Sequence, residues 1–392
     1  MDTVSPLPAI ASLLVAMATA FLLVKKFGAP PHQGRYASID GLRGFLAFFV
    51  FLHHACIWYF FLHTGHWKLP PSNLYIHFGQ SSILLFFMIT GFLFFSKLID
   101  GKTKKIDWGK LFISRVLRLV PLYFFTMFLL FLVVAYLSGW ELNEPIPKLL
   151  SEIVQWLGFT IVGAPNLNGN SQTVIILAGV TWPLPIEWLF YLSLPVLALT
   201  VRVSPPLPYV AFSIACIVGL AYWGPQINPL ILIPFLGGVA ASFLVRWELF
   251  REFAGKKPAT FISLGCLAIA IIYYPSAYGF VPLLLESAAF ILIACGNNMF
   301  GLLDSPISRT LGEMAYSIYL LHAITLYVTF NFILGITASK GLSPEMYWLL
   351  IVGITPVLVL ICFVTFRLIE SPAMHSTTKF MAWLRTRKVL RF

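Results

Sequence analysis

Arg43 and His54 belong to one apolar stretch and have the types and the spacing to do chemistry inside a membrane. They are eleven residues apart. At about 100° and about 1.5 Å per residue, both side chains lie on one stripe of a helix, about 16 Å apart along its axis. The alternative is a purely structural role, in which the arginine extends to a lipid phosphate and the histidine packs among its neighbours. Because ionisable groups inside a span are costly, we favour a functional His54 and a packing role for its neighbour His53.

The stretch from Ser114 to Tyr123 carries a second group of residues that can do chemistry. Arg115 and Arg118 stand at positions i and i+3, so they share one face of a helix. Paired guanidinium groups bind phosphate through forked hydrogen bonds, whereas anchoring of a span needs only scattered positive charge. Since a fixed Arg-x-x-Arg precedes Pro121, we favour a phosphate site over anchoring alone.

Two further polar pairs lie in apolar stretches. Glu187 begins one stretch with Tyr191 one helical turn later, and the alternative to a functional acid is a charge that favours the helix dipole. In another stretch Tyr319 precedes His322, for which a hydrogen-bonded core histidine is as good an interpretation as a functional one. Spacing alone leaves both pairs open between a functional and a structural role.

The composition identifies the class of protein that must position these residues. Of 392 residues, 59% are apolar and only 10% are charged, and the mean hydropathy is +0.87. Repeated apolar runs of membrane-spanning length predict an all-α, polytopic transmembrane helix bundle. The net charge of +11 follows the positive-inside bias, so no nucleic-acid partner is expected. The five cysteines lie in apolar segments without a metal-ligand pattern, so we expect packing cysteines and no metal.

The distribution of charge predicts the orientation of the bundle. With the N-terminus outside, cytoplasmic segments hold 23 of the 26 Lys and Arg residues, and only Lys68, Lys148 and Lys340 lie outside. This asymmetry predicts a multi-pass protein with a cytoplasmic C-terminus. We expect eleven spans, near residues 7–24, 42–62, 75–96, 117–138, 184–201, 207–223, 229–245, 259–274, 280–296, 313–335 and 346–366.

Two segments outside the spans are distinctive. The longest outer connection, 139–182, is rich in Pro, Gly and Asn, and its apolar patch is compatible with a re-entrant segment or with a plain surface loop. The tail after Pro372 predicts a basic interfacial helix on anionic lipid. It interleaves apolar and basic residues, namely Phe380, Trp383 and Leu384 with Arg385, Arg387 and Lys388.

Five segments, in this order, resemble the acyltransferase 3 family of integral-membrane acyltransferases. They read I-D-G-L-R-G followed by His54, F-F-M-I-T-G-F-L, R-V-L-R-L-V-P-L-Y, W-P-L-P-I-E-W-L-F-Y, and L-G-E-M-A-Y-S-I-Y-L-L-H with a closing I-E-S-P. The resemblance implies a membrane domain at 36–372 with the family's ten-helix core. We therefore expect an extra N-terminal span and linker at 1–35 and a basic amphipathic cytoplasmic tail at 373–392.

The resemblance implies transfer of an acyl group, most often acetyl, from cytoplasmic acyl-CoA to a hydroxyl of a glycan outside. The family's functional Arg and His match Arg43 and His54. Its arginine pair matches Arg115 and Arg118, and its acid matches Glu187.

The chain departs from the family pattern in places. Prolines stand at 183 and 185 where serine is common, and Gln80-Ser81-Ser82 replaces a run that usually brings an acid. We see no fused SGNH-type domain and expect a stand-alone member that passes the acyl group to its acceptor or to a separate protein.

The residues combine into one expected mechanism. Acetyl-CoA keeps its phosphates at the cytoplasmic mouth, and His54 takes the proton of the acceptor hydroxyl as it attacks the thioester. Arg43 and Glu187 share the catalytic centre with His54. The groups expected to hold CoA are Arg115, Arg118, Arg43 and Tyr123, and those expected to line the acceptor site are Glu187, Tyr191, Tyr319 and His322.

Other functions explain the same residues less well. A transporter or flippase would use the intramembrane His and Glu as a proton relay, but we see no paired inverted repeat. A membrane scaffold would explain none of the polar groups. The expected partners are acyl-CoA, a glycan or lipid-linked glycan and membrane lipid, in the inner (plasma) membrane of a bacterium. A covalent acyl-histidine intermediate and the oligomeric state are left open by the sequence.

Overall fold

The computed structural model describes residues 2–31, 36–223 and 229–386. Within these ranges the chain is helical and contains no β-strand, only an isolated bridge between Leu167 and Asn170. A 3₁₀ turn covers Pro229–Leu232, and π-helical turns cover Thr329–Ile333 and Phe366–Glu370. The α-helices are α1 Pro6–Phe27, α2 Ala37–Thr64, α3 Asn73–Asp100, α4 Trp108–Leu137, α5 Ile146–Leu157, α6 Thr173–Ile176, α7 Pro183–Thr200, α8 Leu207–Trp223, α9 Ile233–Leu244, α10 Glu248–Ala254, α11 Lys257–Tyr273, α12 Phe280–Ala294, α13 Pro306–Glu313, α14 Ala315–Val328, α15 Ile336–Lys340, α16 Pro344–Thr365, α17 Ser371–His375 and α18 Thr377–Thr386.

The predicted polytopic helical bundle is confirmed. Among the described residues, seven continuous helical segments are long and apolar enough to cross a membrane. They are based on α1, α2, α3, α4, α7, α14 and α16. The segment Leu230–Leu244 and α10 are apolar enough to form one more span together, but a bend of 111° separates them. The helices α8, α11 and α12 are apolar but shorter. Each of the eleven predicted spans coincides with one of these elements.

The largest boundary error lies at the start of α4, which we placed at residue 117 and which begins at Trp108. Asp107 is the helix cap, since its Oδ1 accepts the backbone N–H of Lys110 at 3.0 Å. The first turns after this cap are too polar for a hydropathy window to count as a span. The capping aspartate was the sequence signal that would have found the true start.

The helices form two compact units, of which the first comprises Met1–Phe95 and Pro229–Phe363. In this unit α2 packs most extensively against α13 and α14. The glycines of the first motif explain the close packing: a Cβ on Gly41 would lie 1.9 Å from the Leu303 carbonyl oxygen, and one on Gly44 would lie 2.7 Å from the Gly312 nitrogen. The two motifs that end in His54 and in His322 are therefore joined where both begin, at Gly44 and Gly312.

We expect Gly44→Ala to destabilise the protein by about 1–3 kcal/mol, because its methyl group has backbone rather than a flexible side chain to displace. Thermal unfolding of the purified protein in detergent measures this. Gly353→Ala is the matched control, since a Cβ on Gly353 of α16 meets nothing within 4 Å. Equal melting temperatures for the two variants would contradict the packing argument.

The second unit comprises Ser96–Asn228 and Val364–Phe392. Here α5 runs back along α4: the Tyr123 hydroxyl donates to the Trp156 carbonyl at 2.5 Å. Tyr123 is fourteen residues before Leu137, the end of α4, or about 21 Å along its axis. Asn168 returns to that end, where its amide contacts Glu141 and Asn143. Segment 139–182 therefore folds back along α4, and its entry into the membrane stays a prediction.

The predicted tail helix is present as α18, which packs against α4. Arg385 pairs with Asp107 at 2.7 Å, and the rings of Phe380 and Trp383 stack on the exposed side. Its binding to anionic lipid stays a prediction. Arg387 and Lys388 of the predicted basic face lie outside the described residues.

Candidate active site

The first unit brings two histidines predicted separately into direct contact. His54 on α2 and His322 on α14 are buried, and the Nδ1 of His54 lies 2.9 Å from the Nε2 of His322. Because α2 is continuous from Ala37 to Thr64, Arg43 and His54 do lie on one helix, with Arg43 half-buried nearer its start. His322, which we expected along the acceptor path, is instead a direct partner of the proposed base.

The hydrogen bonds of this pair determine which nitrogen is basic. Carbonyl oxygens only accept, so the contact of His322 Nδ1 with the Ile318 carbonyl at 2.9 Å requires a proton on that nitrogen. In the same way His54 Nδ1, 3.1 Å from the Val50 carbonyl, carries a proton. His54 therefore donates to the unprotonated Nε2 of a neutral His322. The neutral His54 presents Nε2 as its basic nitrogen, and His322 holds that tautomer.

Aromatic residues surround the pair. The Trp67 ring lies with its plane within 18° of His54, the centroids 6.4 Å apart. Trp58, one turn after His54, packs edge-on to Trp67 at 5.5 Å, and Tyr319 lies edge-on to His322 at 6.4 Å. The indole N–H of Trp58 is buried and has no hydrogen-bond partner among the described residues. A ligand acceptor atom would satisfy it.

Both tryptophans were missed from the sequence. The i, i+4 spacing of His54 and Trp58 places them on one face and is a signal that was available. Trp67 follows the end of α2, in a loop, so no periodicity could place it over His54. By contrast, His53 matches its predicted packing role: its Nδ1 lies 2.6 Å from the Tyr75 carbonyl, and its ring fills the space that a Cβ on Gly79 would occupy.

The second unit gathers four other predicted residues. The Tyr191 hydroxyl donates to Glu187, and Arg115 also makes a hydrogen bond to Tyr191, with Arg118 nearby. Arg115 is 22 residues before Leu137, about 33 Å from that end of α4. The start of α7, with Glu187, therefore lies beside the arginines in the first part of α4 and not beside the end of α4 at Leu137.

Tyr123, predicted to contact CoA, packs in the same unit. Its hydroxyl group donates a hydrogen bond to the Trp156 carbonyl, and its ring stacks on the Phe159 ring with the centroids 4.1 Å apart. The Phe159 ring in turn lies 5.4 Å from the ring of Trp188, the residue that follows Glu187 in the chain. Tyr123 thus anchors segment 139–182 to α4, and its contact with CoA stays a prediction.

A third polar cluster was not predicted. Ser81 on α3 donates to Glu286 of α12 at 2.5 Å, and Nδ1 of His77 lies 2.8 Å from the Ser81 hydroxyl. Nε2 of His77 donates to the Tyr274 carbonyl at 2.8 Å. The sequence suggested that the Gln80-Ser81-Ser82 run lacks an acid; the structure supplies one from a distant helix. Both Glu286 and His77 are buried, and burial beside Glu286 raises the pKa of the neighbouring loop residue Tyr278 to about 12.

Among the described residues, no group of three or more His, Cys, Asp or Glu side chains is placed to hold a metal ion.

Comparison with known proteins identifies the family. A family model described as an acyltransferase domain, that of the acyltransferase 3 family, matches residues 36–367. The match contains the His54–His322 pair and the Arg115–Tyr191–Glu187 cluster. No curated protein and no solved structure matched the chain. Since the match covers most of the 392 residues and the fold is a membrane-type helical bundle, the chain belongs to the acyltransferase 3 family of integral-membrane acyltransferases.

Proposed function

We propose that the protein transfers an acetyl group from acyl-CoA to a hydroxyl of a glycan or lipid-linked glycan on the outer side of a bacterial inner membrane. The observation that carries this proposal is the buried His54–His322 pair, with Nε2 of His54 as its basic nitrogen. A sugar hydroxyl is a weak nucleophile, and a positioned neutral imidazole is the general base that such a reaction needs.

The chemical step needs no further reactant. Nε2 of His54 takes the hydroxyl proton as the oxygen attacks the thioester carbonyl, and His322 accepts a hydrogen bond from the imidazolium that forms. The C–S bond breaks as the tetrahedral intermediate collapses, and the imidazolium returns the proton to the departing thiolate. The products are an ester and free CoA, and His54 is again neutral.

The other residues have supporting roles in the proposal. Trp67, whose ring lies beside His54, offers an apolar face on which a sugar ring can pack, and Tyr319 lines the acceptor path. Arg43, about 16 Å along α2 from His54, contacts the donor. In the second unit, Glu187 and Tyr191 hold Arg115 in place toward the donor, together with Arg118.

The test is the stoichiometry of the purified protein. It is supplied with acetyl-CoA and candidate glycans, and free CoA and ester are measured in the same sample. One CoA released per ester formed is the expected result. Acylation of the glycan without release of CoA would contradict acyl-CoA as the donor. The absence of any acylation would contradict the proposed transferase activity.

The alternative is a transporter that uses a proton relay. The His77–Ser81–Glu286 chain is an observation that favours it, since the half-buried Ser81 hydroxyl joins the buried His77 and Glu286, and such a series can pass a proton. The same assay separates the two functions. A transporter moves its substrate unchanged across proteoliposomes, whereas the transferase yields a product of greater mass.

We also propose the orientation that the charges predict, with loop 101–107 in the cytoplasm and segment 139–182 outside. Single cysteines at Asn166 and Lys340 should react with an impermeant maleimide in intact cells. Cysteines at Thr103 and Thr386 should react only after the cells are opened. All four side chains are exposed, whereas the neighbouring Asn168 is buried and hydrogen-bonded and would be a poor position. Labelling of intact cells at position 103 without labelling at position 166 would show that the bundle has the opposite orientation.

A further inference from the structure

A basic cleft lies in the second unit, at the start of α4. Its volume is about 750 Å³, within the range of sites that hold small molecules and cofactors. The connection between α3 and α4 forms one side, and the end of α7 with the start of α8 forms another. Four cations line it, Lys102, Lys105, Arg202 and Arg385, against the single acid Asp107.

The charges of the cleft are only partly compensated. Asp107 pairs with Arg385 at 2.7 Å, and its other oxygen caps α4, so both groups are already engaged. Lys102, Lys105 and Arg202 are exposed, and the structure records no ion pair for them within the described ranges. Three positive charges that converge on a concave surface attract and concentrate anions.

Arg202 has a backbone conformation that glycine usually adopts. Its φ of 59° is left-handed, at the end of α7, where its N–H closes onto the Leu199 carbonyl at 3.0 Å. Glycine is the usual residue at such a position because any side chain adds strain there. An arginine held in a strained conformation at the rim of a basic cleft points to a function for its side chain.

The ligand must bring several negative charges to this place. Arg115, which we expected to read phosphate, is hydrogen-bonded to Tyr191 and lies near Glu187, so part of its charge is already balanced. Trp108 is seven residues, or about 10 Å, before Arg115 on the same helix. Tyr209, which packs on Phe112 and Trp108, adds aromatic surface of the kind on which an adenine stacks.

We propose that this cleft binds the phosphate groups of the CoA donor through Lys102, Lys105 and Arg202. The inference rests on the proposed function and gives the nucleotide end of the donor a site about two helical turns before the Arg115 cluster. The same three cations would also hold the phosphate of an anionic lipid headgroup, so the experiment has an arm for each source.

The first arm measures affinity for CoA, dephospho-CoA and pantetheine with protein purified in an uncharged detergent. The test variant combines Lys105→Gln with Arg202→Gly, where glycine suits the backbone at 202 and so preserves the fold. Lys110→Gln is the matched control: it removes an exposed cation of α4 that does not line the cleft. The second arm repeats the CoA measurement in nanodiscs with and without phosphatidylglycerol, and it also measures the binding of phosphatidylglycerol to the wild type and to each variant.

We expect the test variant to bind CoA about tenfold or more weakly and to lose most of the wild-type preference for CoA over pantetheine. The control variant should keep that preference. An unchanged preference for CoA over pantetheine in the test variant would overturn the assignment of the cleft as the phosphate site. It would leave the proposed transferase activity intact. Loss of phosphatidylglycerol binding with unchanged CoA affinity would assign the cleft to lipid and overturn the proposal. A wild-type protein that binds no CoA would overturn the proposed function itself.

Discussion

Acyl transfer by His54→Ala is expected to be slower than wild type by about 10²–10⁴-fold, because a general base of this kind contributes an effect of that size. Substrate binding should change little, since the lost group acts in the proton transfer. The measurement is CoA release with acetyl-CoA and a responsive glycan, on protein whose size-exclusion profile and melting temperature match the wild type. Equal rates for His54→Ala and wild type would exclude His54 as the base.

The matched control is His53→Ala. His53 is as buried as His54 and is also bonded to a carbonyl, so its loss leaves a similar cavity without removing the proposed base. We expect lower stability and a transfer rate within about tenfold of wild type. If His53→Ala were the slower enzyme, the two histidines would have to exchange roles.

Variants of His322 separate positioning from packing. His322→Gln keeps an acceptor that the Nδ1–H of His54 can reach, whereas His322→Leu keeps only volume. A positioning role therefore predicts that the glutamine variant retains more activity than the leucine variant, and that the leucine variant has an altered pH profile. Equal activities in both would reduce His322 to a core residue.

The sequence could predict the bundle because its signal is local. Each span is an apolar run, and the eleven ranges could be read from hydropathy and charge alone. The stripe shared by Arg43 and His54 follows from helical geometry, so it too was accessible. What hydropathy could not show was the early start of α4, since the cap at Asp107 is followed by polar turns.

The site depended on contacts between distant parts of the chain. His54 and His322 are 268 residues apart, and only the packing of α2 on α14 brings them together. The contact of Glu187 with Arg115 could not be predicted, because the two residues lie on different helices and the long segment between those helices has no periodicity that fixes its path. The acid Glu286 was not considered because its partner Ser81 is 205 residues away.

Arg115→Met is expected to destabilise the second unit by about 1–3 kcal/mol, because it leaves the Glu187–Tyr191 pair without its cationic partner in a poorly hydrated place. Thermal unfolding in detergent measures this effect, with Lys110→Met as the exposed control.

The double variant Arg115→Met with Glu187→Gln decides what the cluster is for. Removing both charges should recover most of the lost stability, since neither charge is then left without the other. Transfer activity should stay low in the double variant if Arg115 also contacts the donor, because the restored fold does not restore that cation. Recovery of stability and activity together would make the cluster purely structural. Failure to recover stability would show that Arg115 and Glu187 are not coupled through Tyr191.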